Sequence, residues 1–312
     1  MTENTKVLNT EVLNTEATNG TEIDASATNP AMLNPAAQME YPVTVSIQTL
    51  MKAGAHFGHQ TDKWNPKMGK YIYGERSGLH IINLDQTIDL WKKARKVIVD
   101  VCSRGGSVLF VGTKRQVRDI IKGEAERCGG FFVATRWLGG TLTNFSTIKR
   151  SIDRMGKLKE LVAKAQNPES GVKLNKKELL KMTREINKLE ASLGGIKDMK
   201  GIPSVIFITD VNKEDLAIEE AVTLHIPVIA LCDTNVNPRL IDHPIPSNDD
   251  GVRTLRLFSA AVADAAIEGS NIYRASFKNR REDIGSNGGS SESKGQKNQA
   301  TTGTETAATA QG

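Results

Sequence analysis

Apolar positions recur along this chain in two rhythms. Runs apolar at consecutive positions occur at Leu79–Leu84, Ser107–Gly112, Phe131–Thr135, Ser204–Asp210 and Pro227–Asp233, and stretches of helical period separate them. A run such as Val205-Ile206-Phe207-Ile208 suits a strand covered by helices on both faces. After Leu84, Asp85 is positioned to cap a helix whose Leu90, Ala94, Val97 and Val101 share one face, and Gly105-Gly106 stops it. Further helices are predicted from Arg115 to Cys128, from Lys213 to Leu224 and from Gly251 to Glu268, and a short one over Val43–Ala53. Strand alternating with helix predicts an α/β fold, a doubly wound parallel sheet with right-handed crossovers.

A third rhythm interrupts the alternation between Thr143 and Lys200. Leu179, Met182, Ile186, Leu189, Leu193 and Ile196 step by three and four, the seam spacing of a coiled coil. Ile148, Ile152, Met155, Leu158, Val162 and Ala165 supply a matching first arm. Asn167, Pro168, Ser170 and Gly171 read as the turn, and Asn175 with Glu178 as the capping box that restarts the helix. The pattern therefore predicts an α-helical coiled-coil hairpin inserted after the third apolar run.

Charge sharpens the picture of that hairpin. Its first arm carries Lys149, Arg150, Arg154, Lys157, Lys159 and Lys164 against Asp153 and Glu160 alone. Positive flanks also keep a solvated coiled coil soluble, but a one-sided excess favours a nucleic-acid surface. The net charge of +5 hides a segregation, because residues 1–40 hold Lys6 against six carboxylates. Neither the Arg-rich pattern of a transit peptide nor the apolar core of a secretory signal occurs there, although VLNTE is repeated at Val7–Glu11 and Val12–Glu16. The expected organisation is a disordered acidic extension (1–40), an α/β domain (41–142 and 201–279), the hairpin insertion (143–200) and a disordered polar tail (280–312). Cys102, Cys128 and Cys232 lie far apart without metal spacing and read as reduced thiols of a cytoplasmic protein. No stretch approaches the roughly 20 apolar residues of a membrane span.

Candidate chemistry clusters at the predicted strand ends, where open α/β sheets bind ligands. Lys114, Arg115 and Arg118 open a predicted helix, where cations are disfavoured by the dipole unless an anion docks there too. No G-x-x-x-x-G-K-[ST] loop, G-x-G-x-x-G turn or G-x-S-x-G elbow is present, so no nucleotide cofactor is expected. Arg136 and Trp137 beside Gly139-Gly140 offer a phosphate partner and a stacking ring, while Trp137 fits a core position equally well, before a helix capped by Thr143. His56 and His59, or Asp210 and Asp233 at strand ends, are the candidate metal ligands. The set lacks the further donors zinc takes, and such aspartates more often cap helices, so no metal is expected. Trp64–Tyr73 mixes aromatic and basic residues and fits an RNA clamp or an exposed loop with an edge strand.

Five segments in order carry a resemblance: LMKAGAHFGH (Leu50–His59), WNPKMGKYIY (Trp64–Tyr73), HIINLDQT (His80–Thr87), FVGTKRQ (Phe110–Gln116) and RWLGGTLTN (Arg136–Asn144). With PSVIFITD (Pro203–Asp210), IPVIALCDTNVN (Ile226–Asn237) and Pro246–Asp250, the chain resembles the small-subunit ribosomal protein S-two family (universal uS-two), in its bacterial or organellar form. The resemblance spans Val45 to Glu268 and leaves both ends outside it. It implies a flavodoxin-like three-layer α/β/α domain with an inserted helical hairpin. It also implies a cytoplasmic protein on the ribosome, bound to small-subunit ribosomal RNA and supporting assembly of the mRNA-capturing protein S-one. The residues it points to are Lys114, Arg115, Arg136, Trp137 and Asn144 on the domain, and Lys149, Arg150, Arg154 and Lys157 on the hairpin. A nucleotide- or metal-dependent α/β enzyme using Asp210 and Asp233 is the alternative, and a hairpin-mediated dimer is a third; a chain that is not a homo-oligomer is the expectation.

Overall fold

The structure, a computed structural model, describes residues 42–166 and 175–287, with side chains of the last helix described as far as 276. The acidic extension, the turn at Asn167, Pro168, Ser170 and Gly171, and most of the polar tail lie outside the described residues. Five parallel strands form the central sheet: β4 (Val108–Val111), β5 (Phe131–Val133), β6 (Val205–Ile208), β7 (Val228–Cys232) and β8 (His243–Pro246), in the order β5-β4-β6-β7-β8. Counted from β4, that order is 2-1-3-4-5, as in flavodoxin-like sheets.

Two expectations about strands are corrected. The run Leu79–Leu84 does not join the parallel sheet. Its β3 (Leu79–Ile82) lies between β1 (Phe57–Gln60) and β2 (Ile72–Arg76) in a separate three-stranded antiparallel sheet. The fifth parallel strand is β8, whose sequence His-Pro-Ile-Pro hides it, since proline is tolerated in a sheet only at an edge.

Alternation along the strands separates two cores. Leu109, Val111, Ile206, Ile208, Val228 and Ala230 face α6 (Asp215–Thr223), where Ala217, Ile218 and Ala221 are buried. On the other face Phe110 and Phe207 meet edge to face, with ring centroids 5.8 Å apart. That side is covered by α2 (Leu84–Ser103), α3 (Arg118–Cys128) and α7 (Val252–Asn287), which pack on one another. Helix α2 begins one residue before Asp85, and Asn83 Oδ1 is its cap, accepting from Asp85 N–H at 3.1 Å. Its buried stripe is Trp91, Ala94, Ile98 and Cys102, so the face expected from Leu90, Val97 and Val101 is rotated by about one residue. A short α1 (Ile47–Ala53), capped by Ser46, packs beside α2 and α7.

Between β5 and β6 run two long helices that pack together, α4 (Phe145–Gln166) and α5 (Lys176–Leu193). Seam residues Ile148 and Met155 of α4 and Leu193 of α5 are buried, while the charged positions between them are mostly exposed. Asn175 and Glu178 form the capping box that the sequence predicts for α5. Helix α4 differs: Asn144, not Thr143, precedes its first residue, and Asn144 Oδ1 accepts from the Thr147 hydroxyl at 2.8 Å. Thr143 instead donates its N–H and its hydroxyl to Glu220 Oε2.

After α5 the chain makes one helical turn, Gly194–Ile196, against β5. A Cβ on Gly195 would lie 2.1 Å from the Phe132 carbonyl oxygen, a backbone atom that cannot step aside. Gly195→Ala is expected to lose roughly 2–3 kcal/mol in a urea unfolding series, as overpacked cores do. Gly156→Ala, where a Cβ in mid-α4 meets nothing, should be neutral or gain up to about 1 kcal/mol.

Candidate functional site

The switch point of the sheet lies between β4 and β6, whose connections leave in opposite directions. Thr113 and Lys114 follow β4, Thr209 and Asp210 follow β6, Asp233 follows β7, and Asn248-Asp249-Asp250 follow β8. Four carboxylates therefore converge where the sequence suggests an anion. The Lys114 ammonium stands 2.9 Å from Asp210 Oδ2, 2.9 Å from Asp250 Oδ1 and 3.2 Å from Asp249 Oδ1. Glu214 accepts both the N–H and the hydroxyl of Thr113, at 2.9 and 2.5 Å. The anion that the cations of this turn call for is the protein's own.

These bonds also set the local backbone. Helix α3 starts at Arg118, so Lys114 and Arg115 sit in a turn ahead of it and not in its first turn. Arg118 Nε donates to the Thr113 carbonyl at 3.3 Å, and Arg115 is exposed.

His59 reaches the same cluster from β1. Its Nδ1 lies 3.1 Å from Asp233 Oδ2 and its Nε2 3.7 Å from Asp250 Oδ2. Gly58 makes this approach possible, because a Cβ there would stand 2.6 Å from Thr234 Cγ2, and Thr234 Oγ1 accepts the His59 N–H at 2.9 Å. His56 is outside the cluster, stacked on Phe57 with its Nδ1 buried and without a hydrogen bond.

Electrostatics follow from burial and pairing. The hydrogen bond to Asp233 holds the His59 imidazole above its ordinary pKa. Burial alone would push the Lys114 ammonium down, but Asp210, Asp250 and Asp249 outweigh it and push it further up. Burial, then the charge of Asp233, raises Asp249 to about 7, whereas the Lys114 bond lowers Asp250. Asp210 also accepts the Lys213 N–H at 3.1 Å. A catalytic role for Asp210 and Asp233 is not supported, since both are engaged in holding the fold.

A second carboxylate organises the segment after β5. Glu220 of α6 is buried and accepts from Trp137 Nε1–H at 3.0 Å and from the N–H groups of Gly140, Leu142 and Thr143 at 2.8, 2.9 and 3.1 Å. The Thr143 hydroxyl completes the set at 3.1 Å. Burial would raise this carboxyl, but the donors outweigh it and hold it below the ordinary range. Trp137 is 8 % exposed, so its ring belongs to the core and cannot receive a base from outside. What it does is fix the loop that leaves Arg136 exposed on one side and Asn144 at the root of α4 on the other.

The third feature is the surface of α4. Six cations face two carboxylates there, and five face three in α5, a net +6 for the pair. Arg154 pairs with Glu185 at 2.7 Å, and Lys159 pairs with Glu190. Lys149, Arg150 and Lys157 are exposed and have no ion pair among the described residues. The sequence argument missed Glu214, Glu220 and Asp249 as organising residues. A carboxylate on the buried stripe of α6, between Ala217 and Ala221, was the available signal for Glu220.

Among the described residues no helix is long and apolar enough to cross a membrane. A family model described as "Ribosomal protein S2" matches residues 50–269. The small ribosomal subunit protein uS2 of Oleidesulfovibrio alaskensis is 49 % identical over 227 residues, covering 72 % of this chain and 85 % of that protein. Its counterpart in Lawsonia intracellularis is 48 % identical over 241 residues (77 % and 81 %). That of Desulfovibrio desulfuricans is 50 % identical over 225 residues (72 % and 86 %). On this likeness, and on the fold that carries it, the chain belongs to the bacterial-type ribosomal protein S2 family, whose members are structural constituents of the small ribosomal subunit and not enzymes.

Proposed function

We propose that this protein binds small-subunit ribosomal RNA through two basic surfaces mounted on a non-catalytic scaffold. Its α4 and α5 act as a coiled-coil hairpin, its α/β domain comprises 41–142 and 201–279, and the segments 1–40 and 280–312 serve as polar appendages. Arg115, Arg118, Arg136 and Asn144 form the domain surface, and Lys149, Arg150, Arg154 and Lys157 form the hairpin surface. Lys114 and Trp137 act behind them, the first by neutralising the switch-point carboxylates and the second by holding the Arg136 loop. The observation that carries the reading is the row of Lys149, Arg150 and Lys157, exposed and without an ion pair among the described residues, beside a helix partner that is itself net basic. Phosphate is the ligand such a row fits, and arginine adds bidentate geometry. As a monomer on the cytoplasmic ribosome, the protein also supports assembly of the mRNA-capturing S-one protein.

Salt tests the mechanism. Binding of the full chain to small-subunit RNA should weaken along a line of log affinity against log salt with a slope of about −4 or steeper. Crosslinks should map to α4 and to the loop around Arg136. A flat salt response, or crosslinks confined to the opposite face, overturns the reading.

A further inference from the structure

Beside the crossover from β7 to β8 the chain forms an open recess of about 690 Å³, within the range of small-ligand sites. Lys67, Lys70, Lys93 and Arg239 line it, against a single carboxylate, Asp242. None of the four cations has an ion pair among the described residues. Asp242 is itself engaged, since its Oδ2 accepts the Val228 N–H at 2.9 Å. Four like charges around one recess repel one another, and an anion entering it relieves them.

The walls that carry these cations are tied together. Two 3-10 turns, Pro66–Tyr71 and Pro238–Leu240, each open on an Asn-Pro pair, and the next residue in each is a cation, Lys67 or Arg239. Asn65 Oδ1 accepts the Lys67 N–H at 3.0 Å, and Asn237 Oδ1 accepts the Arg239 N–H at 3.2 Å. The Asn65 N–H donates to the Thr234 carbonyl at 2.8 Å, which joins the first turn to the loop leading into the second. The Asn83 N–H donates to the Tyr71 carbonyl at 2.9 Å, which joins that turn to the start of α2, the helix of Lys93. The Lys70 ammonium lies 4.6 Å from the centre of the Tyr71 ring. Walls fixed in this way leave little backbone to order when a ligand arrives.

Leu90, Pro238, Ile241 and Pro244 add apolar lining to the same recess. Phosphate suits the cations, and the flat face of a base suits the apolar residues. An RNA strand brings one negative charge per nucleotide, and a space of this size holds about one nucleotide. A polyphosphate chain brings several charges into that same space, which is the better match for four cations. We infer that this recess is a binding site for one nucleoside polyphosphate, with its phosphates on Lys67, Lys70, Lys93 and Arg239. The site binds and does not catalyse, because one engaged carboxylate is too little to hold a catalytic magnesium ion. Its residues are distinct from Arg136 and the α4 row, so its failure leaves the proposed function standing.

The test uses the full chain purified free of RNA. In a calorimetric titration at physiological salt, one equivalent of ATP or GTP should bind. AMP and inorganic tripolyphosphate should each bind about tenfold more weakly, the first for want of charge and the second for want of a base. Replacing Lys67→Ala and Arg239→Ala together should weaken ATP binding about thirtyfold or more, whereas reversing Lys149, Arg150 and Lys157 to glutamate leaves it unchanged. Should the double variant fail to fold, photolabelling of the unaltered chain with an azidopurine triphosphate decides. Label on the peptides holding Lys67–Tyr71 and Pro238–Pro244 supports the site, and label confined to α4 overturns it. Absence of saturable binding, several equivalents bound, or equal binding by the double variant also overturns it. Displacement of ATP by an equimolar uridine hexanucleotide does so too, and makes RNA the occupant.

Discussion

Replacing Glu220 with alanine is expected to lower stability by roughly 4 kcal/mol, one of the largest losses available from a single side chain here. The carboxylate receives five donors, and four of them are N–H groups with no other acceptor among the described residues. Truncation leaves the Trp137 indole and the Leu142 N–H buried without an acceptor, each costing about 1–3 kcal/mol. The thermal midpoint should fall by about 10 °C for a domain of this size. Glu220→Gln keeps the shape but turns one acceptor into a donor facing N–H groups, so it should recover only part of the loss. A pH series adds a sign. Because the folded carboxyl is held below its ordinary 4.5, its contribution is complete above that value and disappears as pH falls through the lower folded pKa. The gap between the native chain and Glu220→Gln should therefore narrow on acidification below about pH 4.5, and a gap that widens contradicts the assignment.

Reversing Lys149, Arg150 and Lys157 together to glutamate is expected to weaken binding to small-subunit RNA by about a hundredfold or more at physiological salt. Three lost phosphate contacts should also make the salt slope shallower by about 2–3. All three side chains are exposed and away from the seam, so the thermal midpoint should move by no more than about 2 °C. Arg154 is left out of the set because its reversal would also break the pair with Glu185. Unchanged co-sedimentation with small subunits by a folded triple variant would remove α4 from the interface.

The parts of this fold that were legible in the sequence are those written in consecutive residues. Val205–Ile208 and Val228–Cys232 announce buried strands, and the three-four stepping from Leu179 onward announces a helix with a partner. Which sheet a short run joins is not written locally. Leu79–Ile82 has the composition of a central strand yet pairs antiparallel with β1 and β2, because the turn at Ser77-Gly78, both at positive φ, folds it back on β2. Strand β8 was hidden by its prolines. At the candidate site the types of residue were visible but their partners were not. Lys114 reads as a phosphate ligand until Asp249 and Asp250, some 135 residues away, are seen to accept its N–H groups. Trp137 reads equally as a base platform or core, and only the long-range bond to Glu220 distinguishes them.

The two borders of the parallel sheet have a bearing on life before assembly. In β8 the Ser247 N–H points inward to the Cys232 carbonyl, so alternation turns positions 244 and 246 outward, and both are proline. On the far side, the turn at Gly194–Ile196 lies against β5. A newly made copy waiting in the cell thus offers a neighbour almost no ladder to extend, and its sheet is guarded against polymerising with others like it.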